Sequence, residues 1–331
     1  MPTWSEILGE LAKSQSETGT PQFDAIRRKY LVKTYQATQR NIILYASKWT
    51  ELPPGISPEA FTIADEDLQG LMEVIHGLRG PSLDLILHSP GGSAEAAEAF
   101  VAYLRSKFNH IRVVVPQLAM SAATMVACAA DVIVLGKHSF LGPIDPQIVI
   151  GTPLGIRTTV PAQAILEQFE QAKKECMDPT KMGAWLPMLG QYGPALLVQC
   201  KHALEMSQRL VENWLSAYMF GQDPEGKKKA KDIAAWLSDH GEFKSHGRHI
   251  PRSEVERRGL RVEHLERDQN IQDVFLSVFH ATTHTFSATP TVKIIENHLG
   301  KAFIKQARPV AMQAQPQPPK ETSHKDLTKP D

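Results

Sequence analysis

The sequence predicts an α/β fold, and three observations carry that prediction. Short β-rich runs recur at NIILYAS (41–47), LDLILHS (83–89), IRVVVP (111–116) and DVIVLG (131–136). Segments of helical length and helical spacing separate them, several rich in alanine. The runs are apolar with little alternation, as strands covered on both faces by crossover helices are.

The elements follow in order. The basic amphipathic stretch IRRKYLVKTYQATQR is a helix leading into the strand at 41–47. After the Pro/Gly-rich turn ELPPGISPEA, the segment ADEDLQGLMEVIHGL sets Leu68, Leu71, Ile75 and Leu78 on one helical face, with acidic residues in its first turn. The strand at 83–89 runs into PGGSAEAAEAFVAYLRSK, a glycine turn followed by a helix. LAMSAATMVACAADVIVLG (118–136) is broken by Asp131 and reads as a buried helix and then a strand. Beyond residue 150 the pattern is mostly helical. PAQAILEQFEQAKKE begins at Pro161, near a first-turn position, and PALLVQCKHALEMSQRLVENWLSAYMF is long and amphipathic, suited to packing over the sheet or against another subunit. From about residue 306 the tail is rich in Pro, Gln and charge, a composition too polar to offset ordering entropy, and is expected to be disordered.

Composition narrows the function classes. With 331 residues, 42% of them hydrophobic, the chain is long enough for one large or two ordinary domains. Its 36 basic and 36 acidic side chains cancel, so no overall field favours nucleic acid or an anionic membrane. KKKAK (227–231) is a solvated face and too short to change that. Cys128, Cys176 and Cys200 are far apart with no CxxC spacing, which argues against a disulfide framework and a thiolate metal site. No secretory pattern opens the chain, and no stretch approaches the roughly 18 apolar residues of a membrane span. A soluble cytoplasmic protein is expected. His280 and His284 in HATTH lack the glutamate of a zinc motif and read as surface histidines, so no metal and no cofactor is expected.

Two places carry chemistry. In HSPGGSAEAAE, Pro90 stiffens the exit from a strand, and Gly91 and Gly92 turn the backbone with its N–H groups exposed before Ser93 caps a helix. Fixed N–H donors of this kind stabilise negative charge developing on a carbonyl oxygen. Ser121 follows another strand at a helix start, where the Ala122 N–H offers a second donor. The setting is that of a nucleophile on a strand-to-helix turn, although the GxSxG flanks are absent.

Taken together, LILHSPGGSAEAAEAF and, about 30 residues later, AMSAATMVACAADVIVLG resemble the ClpP/crotonase superfamily in its serine-peptidase branch. KHSFLGPIDPQ (137–147), SHGRHIPRSEVERRGLRV (245–262) and the early RRKYLVKTYQATQRNIILYASKW resemble the serine dehydrogenase proteinase family, over roughly residues 25–265. The resemblance implies a ClpP/crotonase-like spiral of ββα units with a helical C-terminal region, assembled into homo-oligomers. It implies an N-terminal helical extension (1–30), a catalytic domain (31–290) and the tail (306–331). It further implies Ser121 as nucleophile, Gly91 or Gly92 with Ala122 as oxyanion donors, Asp145 as the catalytic acid, and a triad in the chain order Ser, Asp, His. His246 matches the family histidine. His249 is a rival, because Gly247, Arg248 and His249 replace the residues that usually follow.

A serine hydroxyl needs a base to take its proton, and a carboxylate beside that base fixes its tautomer. A lysine base, Lys137 or Lys173, is the weaker alternative, as in signal peptide peptidases. Three function classes follow: a serine peptidase acting on a peptide or protein; a crotonase-type acyl-CoA hydratase or isomerase using Glu95 or Glu98; and a non-catalytic oligomeric scaffold. The first is preferred. No GxGxxG follows a strand, so no nicotinamide site is expected.

Overall fold

A computed structural model describes residues 3–50, 56–151 and 157–307. Two helices, α1 (Trp4–Thr18) and α2 (Phe23–Thr38), precede β1 (Asn41–Ser47), α3 (Asp67–Ile75), β2 (Ser82–His88), α4 (Ala94–Arg105) and β3 (His110–Val115). The short β4 (Leu118–Ala119), α5 (Ala122–Cys128), β5 (Val132–Leu135) and β6 (Phe140–Leu141) follow. A hairpin, β7 (Gln147–Gly151) and β8 (Arg157–Pro161), leads to α6 (Ala162–Glu175), α7 (Pro179–Leu189), α8 (Leu196–Trp214), α9 (Gly226–Ser238) and α10 (His240–Phe243). The chain then forms β9 (Ile250–Pro251), α11 (Arg252–Arg257), β10 (Val262–His264), α12 (Gln269–Ala288), β11 (Thr291–Asn297) and β12 (Ala302–Gln306).

The main sheet has the order β10-β5-β3-β2-β1-β11-β12. Pairing is parallel from β10 to β1 and antiparallel where β11 and β12 close the edge. The expected α/β class is what the chain adopts. Every residue of β1 and β5 is buried, because helices cover both faces. On one face Tyr45, Leu85, Leu87 and Val113 pack against Leu71, Phe100, Val126 and Trp214, drawn from α3, α4, α5 and α8. On the other, Ile42, Leu44, Ile86 and Val114 meet Ile7, Leu31, Phe275 and Val278, drawn from α1, α2 and α12. Outside these layers α6 and α8 share a small core of their own, Ala162, Ile165, Leu196 and Cys200, under the β7–β8 hairpin.

Several local expectations need correction. The helix expected over 64–78 is shorter, because His76 is extended and Gly77 takes a positive φ of 90°. The part beyond residue 150, read as mostly helical, also contributes β10, β11 and β12 to the main sheet. His284 is not a surface residue: it is buried against the Trp4 ring, with Nε2 2.9 Å from the Trp4 carbonyl oxygen. The expected disordered tail lies, from residue 308 on, outside the described residues.

Candidate active site

Ser121 joins β4 to α5 with φ 52° and ψ −122°. L-residues other than glycine rarely adopt such a backbone, and holding it costs on the order of 1–3 kcal/mol. The neighbours enforce it. Met120 N–H donates to Ser89 O at 3.0 Å and Ser89 N–H to Leu118 O at 3.1 Å, latching the Ser121 turn to the end of β2. Thr124 Oγ1 donates to Ala119 O at 2.8 Å and accepts from Gly142 N–H at 2.9 Å, tying α5 to the loop that carries Asp145.

The glycine turn fits against this elbow. A Cβ on Gly91 would lie 2.7 Å from both Ser121 Cβ and Ala122 N, and Gly91 has φ 96°, so no other residue fits. Gly91 N–H donates to Ser89 Oγ at 3.2 Å. The Gly92 and Ala122 amides have no hydrogen-bond partner among the described residues. Of the two glycines, Gly92 is therefore the one with a free N–H.

Asp145 is buried between two histidines. His246 Nδ1 lies 2.7 Å from Oδ1 and His240 Nδ1 2.9 Å from Oδ2, while Gln147 Nε2 donates to Oδ2 at 2.9 Å. A buried carboxylate is tolerated when its lone pairs are taken in this way. The loop is fixed on both sides, by Ile144 N–H to Leu237 O and Ala162 N–H to Pro146 O, each 2.9 Å. An imidazole that gives its Nδ1–H to a carboxylate leaves Nε2 unprotonated and able to accept a proton.

Ser121, Ala122, Gly92 and His246 line one cavity of about 410 Å³, with apolar walls from Met125, Ile144 and Met206. Asp145 stands behind His246. The other candidates fall elsewhere. His249 is exposed and stacks on Phe140 at 5.2 Å, away from this cavity. Lys137 is exposed beside Glu266, and Lys173 is exposed and paired with Glu170. Glu95 reaches the cavity rim, where Ser93 Oγ donates to it at 2.7 Å, whereas Glu98 is exposed on α4 and does not line it. Sequence reasoning overlooked His240, 95 residues from the carboxylate it meets. The available signal was the crowding of His240, His246 and His249 into one short stretch.

His88, at the end of β2, is also a buried imidazole, and burial pushes its pKa down to about 4. Its Nδ1 has no partner among the described residues, it faces Trp49 and Phe279, and it does not line the Ser121 cavity. It is a neutral packing residue at physiological pH.

The elbow serine, the free amides of Gly92 and Ala122 and the Asp145-backed His246 thus come together at one cavity, as the resemblance to a serine-peptidase family implied. The sequence agrees: residues 63–274 match the model of the ClpP-like SDH-type serine proteinases, and the chain belongs to that family. It is similar to two uncharacterized proteins of Methanocaldococcus jannaschii, both over about half of each chain's length. MJ0137 is 29% identical over 178 residues, 54% of this chain and 53% of the relative. MJ1495 is 31% identical over 156 residues, 47% of this chain and 44% of the relative. Among solved structures, a ClpP1 point mutant of Listeria monocytogenes aligns over 73% of this chain and 98% of its own, with 12% identity and a TM-score of 0.34. No helix among the described residues is long and apolar enough to cross a membrane.

Proposed function

We propose that the protein is a serine peptidase that cleaves peptide bonds through an acyl-enzyme on Ser121, with His246 as general base and Asp145 as its orienting carboxylate. The observation that carries the reading is that His246, held at Nδ1 by Asp145, lines the same cavity as Ser121. The Ser121 oxygen attacks the scissile carbonyl carbon while its proton passes to His246 Nε2. The carbonyl oxygen becomes an oxyanion facing the free N–H groups of Gly92 and Ala122. Collapse breaks the C–N bond, and the amine departs with the proton from His246. Water then repeats the sequence to free the acid and Ser121. Gly91, whose N–H donates to Ser89 Oγ, shapes the turn without donating to the oxyanion.

The test is labelling with a fluorophosphonate, read by peptide mass spectrometry. Wild type is expected to be modified at Ser121, Ser121→Ala not at all, His246→Ala at a rate reduced by about 10⁴-fold or more, and His249→Ala at the wild-type rate. Modification at another residue, or loss on His249→Ala alone, rejects the assignment.

The same reading includes a homo-oligomer. Helix α7 has no buried residue, and Met182, Leu186 and Met188 on it, with Met177 and Val198 beside it, expose apolar side chains that a second copy would cover. Light scattering on wild type and Leu186→Glu checks this: the expected result is an assembly that the charge weakens, and a monomeric wild type refutes it. All three cysteines are free, which suits the reducing cytoplasm where we locate the protein.

A further inference from the structure

An ammonium group without access to water is costly unless fully paired, so its partners are informative. Lys293, on β11, is wholly buried. Its Nζ donates to Asp67 Oδ1 at 2.6 Å and to the Thr62 carbonyl at 2.8 Å, with a Glu66 carboxylate oxygen 3.9 Å away. The other oxygen of Asp67 accepts from Tyr45 O–H at 2.7 Å and from Ala64 N–H at 3.0 Å. The segment 62–64 is thus held at both ends, by its first carbonyl and its last amide.

The residue between them, Ile63, grips the glycine turn. Its N–H donates to Gly91 O at 2.7 Å, and its carbonyl accepts from Ser93 N–H at 3.1 Å. The approach leaves no room for a side chain, since a Cβ on Gly92 would lie 2.3 Å from Ile63 O. Gly91 C=O and Gly92 N–H belong to one peptide unit, which is planar and trans. Fixing the direction of the carbonyl therefore fixes the direction in which the N–H points.

We propose that Lys293, with Asp67, is a positioning residue of the oxyanion hole: the pair anchors residues 62–64, and Ile63 thereby aims the Gly92 N–H into the cavity beside Ser121. The proposal rests on the hydrolase reading above. Lys293 lies outside the segment 63–274 that matches the family model, so the match does not assign it.

A second buried ion pair on the same strand supplies the control. Glu296, on the opposite side of β11, pairs with the buried Arg27 of α2 and touches no part of the glycine turn. Fluorophosphonate labelling of the full chain gives the limiting rate kinact, the half-saturating concentration KI and the labelled fraction. Lys293→Met is expected to lower kinact by about 10- to 100-fold with KI little changed, because a misaimed donor weakens only the transition state. Arg27→Met is expected to lower the unfolding temperature while kinact of its folded fraction stays within about twofold of wild type. Equal kinact for the two variants overturns the positioning role and leaves the hydrolase reading intact. An unlabelled wild type overturns both. Should Lys293→Met not fold, the double variant Asp67→Asn/Lys293→Met, which removes the whole ion pair, is judged by the same kinact criterion.

Discussion

The two faces of the main sheet use buried charge differently. Under α2 and α12, Arg27 joins Glu296 of β11, Thr285 of α12 and Asp24 of its own helix, contacts that tie the two helices to the sheet and do not line the Ser121 cavity. Under α3, Lys293 and Asp67 hold backbone, and that backbone leads through Ile63 to the Gly91–Gly92 turn. The same chemistry thus fastens architecture on one face and orients amides on the other. What a buried ion pair does is set by the atoms it bonds beyond its partner.

The widest separation of the faces is expected from Asp145→Asn. With the carboxylate gone, His246 loses its oriented tautomer, and labelling should slow by about 10⁴-fold while the fold survives. A loss under tenfold would move Asp145 out of the site. Phe275→Ala, in the core beneath α12, is expected to do the reverse, lowering stability in urea by about 3–5 kcal/mol with the labelling rate of the folded protein unchanged. A slower folded fraction would show that the faces are coupled.

Acid titration gives a third contrast. The pKa of His88 is about 4 when folded and near 6.5 when unfolded, so between those values the unfolded chain binds the extra proton. Stability then rises with pH, and as pH falls from 6.5 to 4 up to about 3 kcal/mol is lost. Burial lowers His280 and His298 too, so they add in the same direction. Replacing His88 by Leu, which also removes the unpartnered Nδ1, should flatten the acid limb of a stability–pH curve, and an unchanged limb would assign it to other groups. The smallest effect is expected at His240, which shares Asp145 but does not line the cavity. His240→Gln should slow labelling by less than about tenfold, since the aspartate keeps its bond to His246 and loses only one of its two imidazole partners. A loss as large as that of His246→Ala would make His240 the base.

Local patterns made much of the fold legible. β1 runs over 41–47 and β2 over 82–88, beside the apolar runs expected at 41–47 and 83–89. β11 escaped notice because TVKIIEN carries a lysine, a glutamate and an asparagine, and reads as polar on both sides. Lys293 and Glu296 are buried because Asp67 and Arg27, more than 200 residues away, take their charges, and Asn297 donates to the Val74 carbonyl. The candidate site divides in the same way. Ser121 and the Gly91–Gly92 turn stand out as strand-to-helix junctions, whereas the contact between Asp145 and His246 spans 101 residues. No spacing rule reaches that far, and only the family resemblance pointed to it.

The left-handed backbone of Ser121 has an evolutionary consequence. Its φ of 52° and ψ of −122° mirror an ordinary extended conformation, so glycine would adopt them without the steric penalty that serine bears. Selection for robustness alone would drive this position toward glycine, and Ser121→Gly should melt no lower than wild type although it cannot form an acyl-enzyme. A serine retained there in descendants of this chain would mark lineages in which chemistry outweighs heat tolerance.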